Sequence, residues 1–100
     1  DSSALSDQIG NGNDTNVNQS GDMSSISAVQ NGDDGVSEIT QSGDTNIADL
    51  VQGGSLNESF ITQNGSGNMA NIGQGGMMDV STVTQTGNGN MVTVTQSVVP

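Results

Sequence analysis

Apolar and polar positions alternate along this chain in a pattern that restarts every eleven residues. An apolar residue stands at Val17, Ala28, Ile39, Leu50, Ile61, Ile72, Val83 and Val94. Two residues after each comes a glutamine, at Gln19, Gln30, Gln41, Gln52, Gln63, Gln74, Gln85 and Gln96, and Gln8 opens the series. Two residues before each apolar position stands a small or β-branched residue: Thr15, Ile26, Ser37, Ala48, Ser59, Ala70, Ser81 or Val92. Two earlier again the chain prefers asparagine, at Asn13, Asn46, Asn57, Asn68 and Asn90, with Ser24, Gly35 and Asp79 in the other slots. Positions spaced by two share one face of a strand, so Asn, small, apolar and Gln all point the same way.

Four residues separate each Gln from the next Asn slot, and the second of them is glycine: Gly10, Gly21, Gly32, Gly43, Gly54, Gly65, Gly76 and Gly87. A glycine fixed at that point suits a tight arc that needs a permissive backbone. An eleven-residue period also fits a right-handed coiled coil. Fifteen glycines and many β-branched residues exclude that helix.

Successive units differ in the small slot. Ser37, Ser59 and Ser81 belong to one set, and Ala48, Ala70 and Val92 to the other, so the full period spans two units. One coil then holds two strands and two arcs. The pattern predicts an all-β chain: a β-solenoid of 22-residue coils with two facing parallel sheets, cross-β stacked along a fibre axis. Strands of about seven residues would run roughly 20–23 Å, with coils about 4.8 Å apart. Residues 1–100 read as a single solenoid of nine strand-arc units, about 4.5 coils, with a short tail at 97–100. Its interior would carry stacked Gln and Asn amides hydrogen-bonded along the axis, beside an apolar seam.

Composition narrows the function. Lys, Arg and His are absent and eleven acids give a formal net charge of −11. Such a chain cannot neutralise phosphates, which argues against nucleic acid and against anionic lipid. Apolar runs never exceed two residues, so no membrane insertion is expected. Without His, Cys, Lys or Tyr there is no side chain to act as imidazole base, thiolate or activated nucleophile. No enzyme activity, no cofactor and no metal site are expected. Leu, Ile, Val and Phe total only twenty residues, too few for a conventional core. Internally satisfied polar ladders would stand in for one.

Segments such as Gln63 to Gln74 (QNGSGNMANIGQ), Gln41 to Gln52 and Gln85 to Gln96 resemble the curlin repeat, Q-x-G-x-x-N-x-A-x-x-x-Q. The resemblance runs in phase through eight consecutive units, with Asp1 to Asp7 reading as one further strand. It implies a secreted, extracellular subunit of curli, the functional amyloid fibres of bacterial biofilms. It also implies three partners: other copies of itself, a surface nucleator, and an outer-membrane secretion channel. The familiar members carry some Lys, Arg and Tyr, which this chain lacks.

Repeats that run to Gln96 at one end and begin mid-pattern at the other leave both edges expected to template another copy, in head-to-tail growth into a fibre. Pro100 would blunt one edge weakly. Subunits would join by half a coil, rotated about 180°, or by whole coils with the first strand left out. Three surface features suggest other chemistry. Asp22, Asp33 and Asp44 share one arc position, which could hold calcium but reads better as solubility and restraint of sideways association. Thr40, Thr62 and Thr84 form an outward column that would suit an ice-binding solenoid, but Glu38 and Phe60 interrupt its companion column. Met69 and Met91, with Ile47, form an outward apolar stripe. The alternative to a fibre subunit is a monomeric solenoid segment of an adhesin or ice-binding protein.

Overall fold

The computed structural model describes residues 1–96, so the expected tail and Pro100 lie outside the described residues. Among the described residues the chain folds into nine strands. They are β1 (Ser3–Ile9), β2 (Asp14–Ser20), β3 (Ser25–Asp33), β4 (Val36–Ser42), β5 (Ile47–Ser55), β6 (Glu58–Asn64), β7 (Met69–Gln74), β8 (Val80–Thr86) and β9 (Met91–Gln96). Odd strands form one sheet in the order β1-β3-β5-β7-β9, and even strands form the other, β2-β4-β6-β8. Every pairing is parallel and joins positions one full coil apart, as in Gln30↔Gln52 and Gln41↔Gln63. The β-solenoid with two facing parallel sheets and 22-residue coils is therefore the fold.

The register follows from the period of two. A slip of one residue would turn every apolar and Gln side chain outward. Instead Ile26, Ala28, Ile39, Ala48, Leu50, Ile61, Ala70, Ile72 and Val83 meet between the sheets, with Val17, Val92 and Val94 packed against them. The molecule measures 38 × 23 × 11 Å. Its shortest dimension is that of two sheets packed face to face, about 10 Å apart.

Strand lengths depart from the expected seven. β3 and β5 run to nine residues because their pairing continues into the arc, through Asn31↔Gly53, Gly32↔Gly54 and Asp33↔Ser55. β7 and β9 have six.

Each arc also contains a position that the repeat pattern did not single out. The residue just before every Asn slot from Gly12 to Gly89 lies in the left-handed region. Glycine fills it at Gly12, Gly67 and Gly89, whereas Met23, Asp34, Thr45, Leu56 and Met78 occupy it with φ between 55° and 60°. A β-branched residue is poorly suited to that conformation. Thr45→Gly is expected to raise stability by about 1 kcal/mol, the strain relieved exceeding the extra unfolded-state entropy of glycine. A lower urea midpoint for the variant would show that the Thr45 backbone carries no strain.

Candidate functional site

The functional surface of a solenoid is its repeated cross-section, and glutamine builds the first part of it. In the odd sheet, side-chain Nε2 donates from Gln8 to Gln30, Gln30 to Gln52, Gln52 to Gln74 and Gln74 to Gln96, at 2.7–2.8 Å. In the even sheet the chain runs Gln19 to Gln41 to Gln63 to Gln85. Each inner amide spends its second N–H on a carbonyl of the facing sheet, as Gln63 does on Ile47 and Gln74 on Glu58. Gln30, Gln41, Gln52, Gln63, Gln74 and Gln85 are all buried, and among the described residues no buried side-chain polar atom lacks a partner. Full satisfaction is what makes a polar interior tolerable.

The two ladders are braced differently, which accounts for the alternation of Ser and Ala. Every second even-sheet hydroxyl reaches across to odd-sheet glutamines, while Ser37 and Ser81 bond to Thr15 and Ser59 along their own column. Thr15 Oγ1 accepts from Gln8 and donates to Gln30, and Ser59 Oγ accepts from Gln52 and donates to Gln74. Opposite the even-sheet glutamines stand Ala48, Ala70 and Val92, which offer no such group. Sequence reasoning saw the alternation and missed its chemistry; the two-unit phase of the hydroxyls was the available signal.

The asparagine column works otherwise than the sequence suggested. Asn amides do not bond to one another along the axis. Asn46 Nδ2 donates to the Ser42 and Gly65 carbonyls, and its Oδ1 accepts the main-chain N–H of Asn68. Asn13, Asn57, Asn68 and Asn90 make the same local bond to the carbonyl four residues back. The side chain is short and sits where the arc leaves main-chain groups unpaired, so the backbone claims it first. Ser24 imitates it, donating to the Gly43 carbonyl and accepting from Asn46 N–H, and Ser2 does likewise one coil earlier. Gly35 brings only its N–H, held by Asn13 Oδ1. Asp79 occupies the slot as an acceptor only, taking the Gly76 N–H at 3.1 Å. Asp79→Asn restores a donor for the arc carbonyl and is expected to add about 1 kcal/mol to stability. Thermal unfolding at matched ionic strength reads this, and an unchanged midpoint would mean that the carbonyl is satisfied by solvent.

Glycine completes the cross-section, chiefly by letting coils touch. A Cβ on Gly43 would lie 2.0 Å from the Gly65 carbonyl oxygen, and one on Gly65 would lie 2.0 Å from that of Gly87. A Cβ on Gly10, Gly21 or Gly54 would lie 1.9 Å from the next coil's glycine oxygen. Gly32 has no left-handed φ, yet its Cβ would stand 1.6 Å from Gly54 O. Close approach, rather than backbone freedom alone, is what these positions share. Gly76 has no left-handed φ either.

On the outside, the arc acids cap main-chain groups. Asp33 Oδ1 accepts from Asn11 N–H and Asp44 Oδ1 from Asp22 N–H, each at 2.9 Å across one coil. Among the described residues no three acids converge on one point. Thr40, Thr62 and Thr84 do form one outward column, beside Glu38, Phe60 and Thr82. Ile47, Met69 and Met91 form another on the opposite sheet. A further group of exposed apolar residues, Leu56, Met77 and Met78, lies along one row of arcs, with Val80 exposed at the start of β8. Strand alternation could not reveal it, because arcs do not follow the period of two.

Two overlapping stretches, residues 37–63 and 43–76, match the family model described as the curlin associated repeat. The matched region spans β4 to β7, the middle of the stack, where Gln, Asn and Gly columns are most complete. No curated protein matches the chain.

Proposed function

We propose that this chain, whose residues 37–76 match the curlin associated repeat, is a structural subunit of an extracellular, curli-like amyloid fibre in a biofilm matrix. The repeat and the β-solenoid support a curli-type structural protein, and the repeat family is a non-enzymatic one associated with extracellular curli fibres. The observation that carries the reading is the sameness of every coil. Gln, Gly and apolar positions recur from one coil to the next, so the surface one coil presents is a copy of the surface its neighbour buries. Any exposed coil is then a template on which a disordered chain can order rung by rung. Gln and Asn fix the register during that addition, and the arc glycines let the coils close to contact. A surface nucleator and an outer-membrane channel are the partners this reading implies.

The test starts from denatured, purified chain diluted into buffer and left undisturbed. Unbranched fibres with a meridional spacing of about 4.8 Å are expected, with a lag that preformed seeds abolish. A β-rich chain that stays monomeric at high concentration would replace the fibre subunit with a solenoid segment of an adhesin or ice-binding protein.

A further inference from the structure

We propose that the five methionines form a surface array that takes up oxygen atoms from hydrogen peroxide, one per thioether, while the solenoid stays folded. The inference goes beyond the fibre reading and does not depend on it. Placement, chemistry and charge point the same way.

Methionine is ordinarily a core residue that fills irregular gaps. Here none of the five lies inside: Met23, Met69, Met77, Met78 and Met91 are exposed, by between 37% and 72%. The space between the sheets is filled by Ile, Leu, Val and Ala instead. Met23 and Met78 stand in arcs at φ 57° and 58°, at a position that glycine takes in other arcs. Met77 precedes Met78 in the same arc, between β7 and β8. Met69 and Met91 are paired neighbours on the outer face of the odd sheet, one coil apart. Met69 has a coil on each side, with Ile47 below and Met91 above, and still keeps 37% of its surface open. Stacking further coils therefore does not close an outward sulfur off.

The chain has no Cys, Trp, Tyr or His, which leaves thioether sulfur as its one readily oxidised side-chain group. In the reaction a sulfur lone pair attacks one peroxide oxygen. The S–O bond forms as the O–O bond breaks, and the departing hydroxide takes up the proton of the transferred oxygen. The products are a sulfoxide and water. Sulfur gives up two electrons and peroxide accepts them, so no other co-reactant enters. In a buried methionine this change puts a polar group into the core and disrupts it. At these five positions the added oxygen meets water. The buried Gln, Asn and Ser side chains that hold the coils together contain no sulfur for peroxide to attack.

Charge favours the same oxidant. A formal net charge of −11 repels anionic oxidants, whereas hydrogen peroxide is neutral and approaches unopposed.

The test treats the folded chain with hydrogen peroxide and follows oxygen uptake by intact mass and peptide mapping. Five oxygens per chain are expected, one on each methionine. Each site is expected to react at a rate within about threefold of its rate in the urea-unfolded chain. Circular dichroism and the urea midpoint of the product are expected to match those of untreated chain. The combined Met23→Leu, Met69→Leu, Met77→Leu, Met78→Leu and Met91→Leu chain is expected to take up none. Any methionine slowed more than about tenfold by folding would overturn the inference, as would loss of β structure once the sulfoxides form. Assembled fibres are expected to react at all five positions too. Fibres in which Met69 and Met91 stay reduced would overturn it as well, and would mark that stripe as a buried contact between neighbouring stacks.

Discussion

Replacing Gly43 by alanine is expected to cost about 4 kcal/mol, a large fraction of the roughly 5–15 kcal/mol that stabilises a domain this size. Two effects add. The backbone at Gly43 has φ 100°, where an L-residue with a Cβ is strained by about 1–2 kcal/mol. The new Cβ would also lie 2.0 Å from the Gly65 carbonyl oxygen, which belongs to main chain and cannot swing aside. Coils must separate locally, and overpacking of this kind costs about 1–3 kcal/mol. Gly73→Ala is the comparison. Gly73 lies within β7, has no left-handed φ, and a Cβ there meets nothing within 4 Å. That change is expected to be neutral or to stabilise by about 0.5 kcal/mol through the unfolded state. Urea unfolding of both variants decides the matter. Similar midpoints would mean that contact between coils is not what reserves these sites for glycine.

The second large effect is expected at Gln63. Its side chain is fully buried, donates to Ile47 O and Gln85 Oε1, and accepts from Gln41 Nε2. Gln63→Leu fills a similar volume and strands all three partners. Buried groups left unpaired cost about 1–3 kcal/mol each, so a loss of roughly 4 kcal/mol is expected, part being returned by leucine's own burial. Thr62→Ala, one residue away on the exposed face, is expected to change stability by less than about 0.5 kcal/mol. If the two variants unfold at the same denaturant concentration, the interior is held by its apolar seam and the Gln ladder is ornamental.

The strands, their faces and their register were legible because a single constraint, identical side chains stacked one coil apart, sets all three. Gln marks the strand end, Gly the arc and Ile or Val the seam, and each type recurs often enough to be read without structure. The arcs were less legible. The left-handed position before each Asn slot is held by Met23, Asp34, Thr45, Leu56 and Met78, and only Asp34 among these is a residue with turn character. Tertiary stacking imposes that conformation against local preference, so local preference cannot announce it. The Asn column was placed correctly in sequence and assigned the wrong partner, because the pattern shows which residues stack but not which backbone groups the arc leaves open. The hydroxyl braces Thr15 and Ser59 were hidden for a related reason: they act across the sheets, between positions not spaced by the repeat.

The uniform offset between paired strands also bears on how such a gene can change. Recombination between two coils would delete or duplicate one whole coil and return each remaining position to a neighbour of its own kind, leaving Ser over Ser and Ala over Ala. A change of half a coil would instead seat the Ser-bearing half on the Ala-bearing one and break the hydroxyl braces at the seam. Length in this architecture is therefore inherited in discrete steps, and whole-coil gains and losses are the variants that selection can accept without repair.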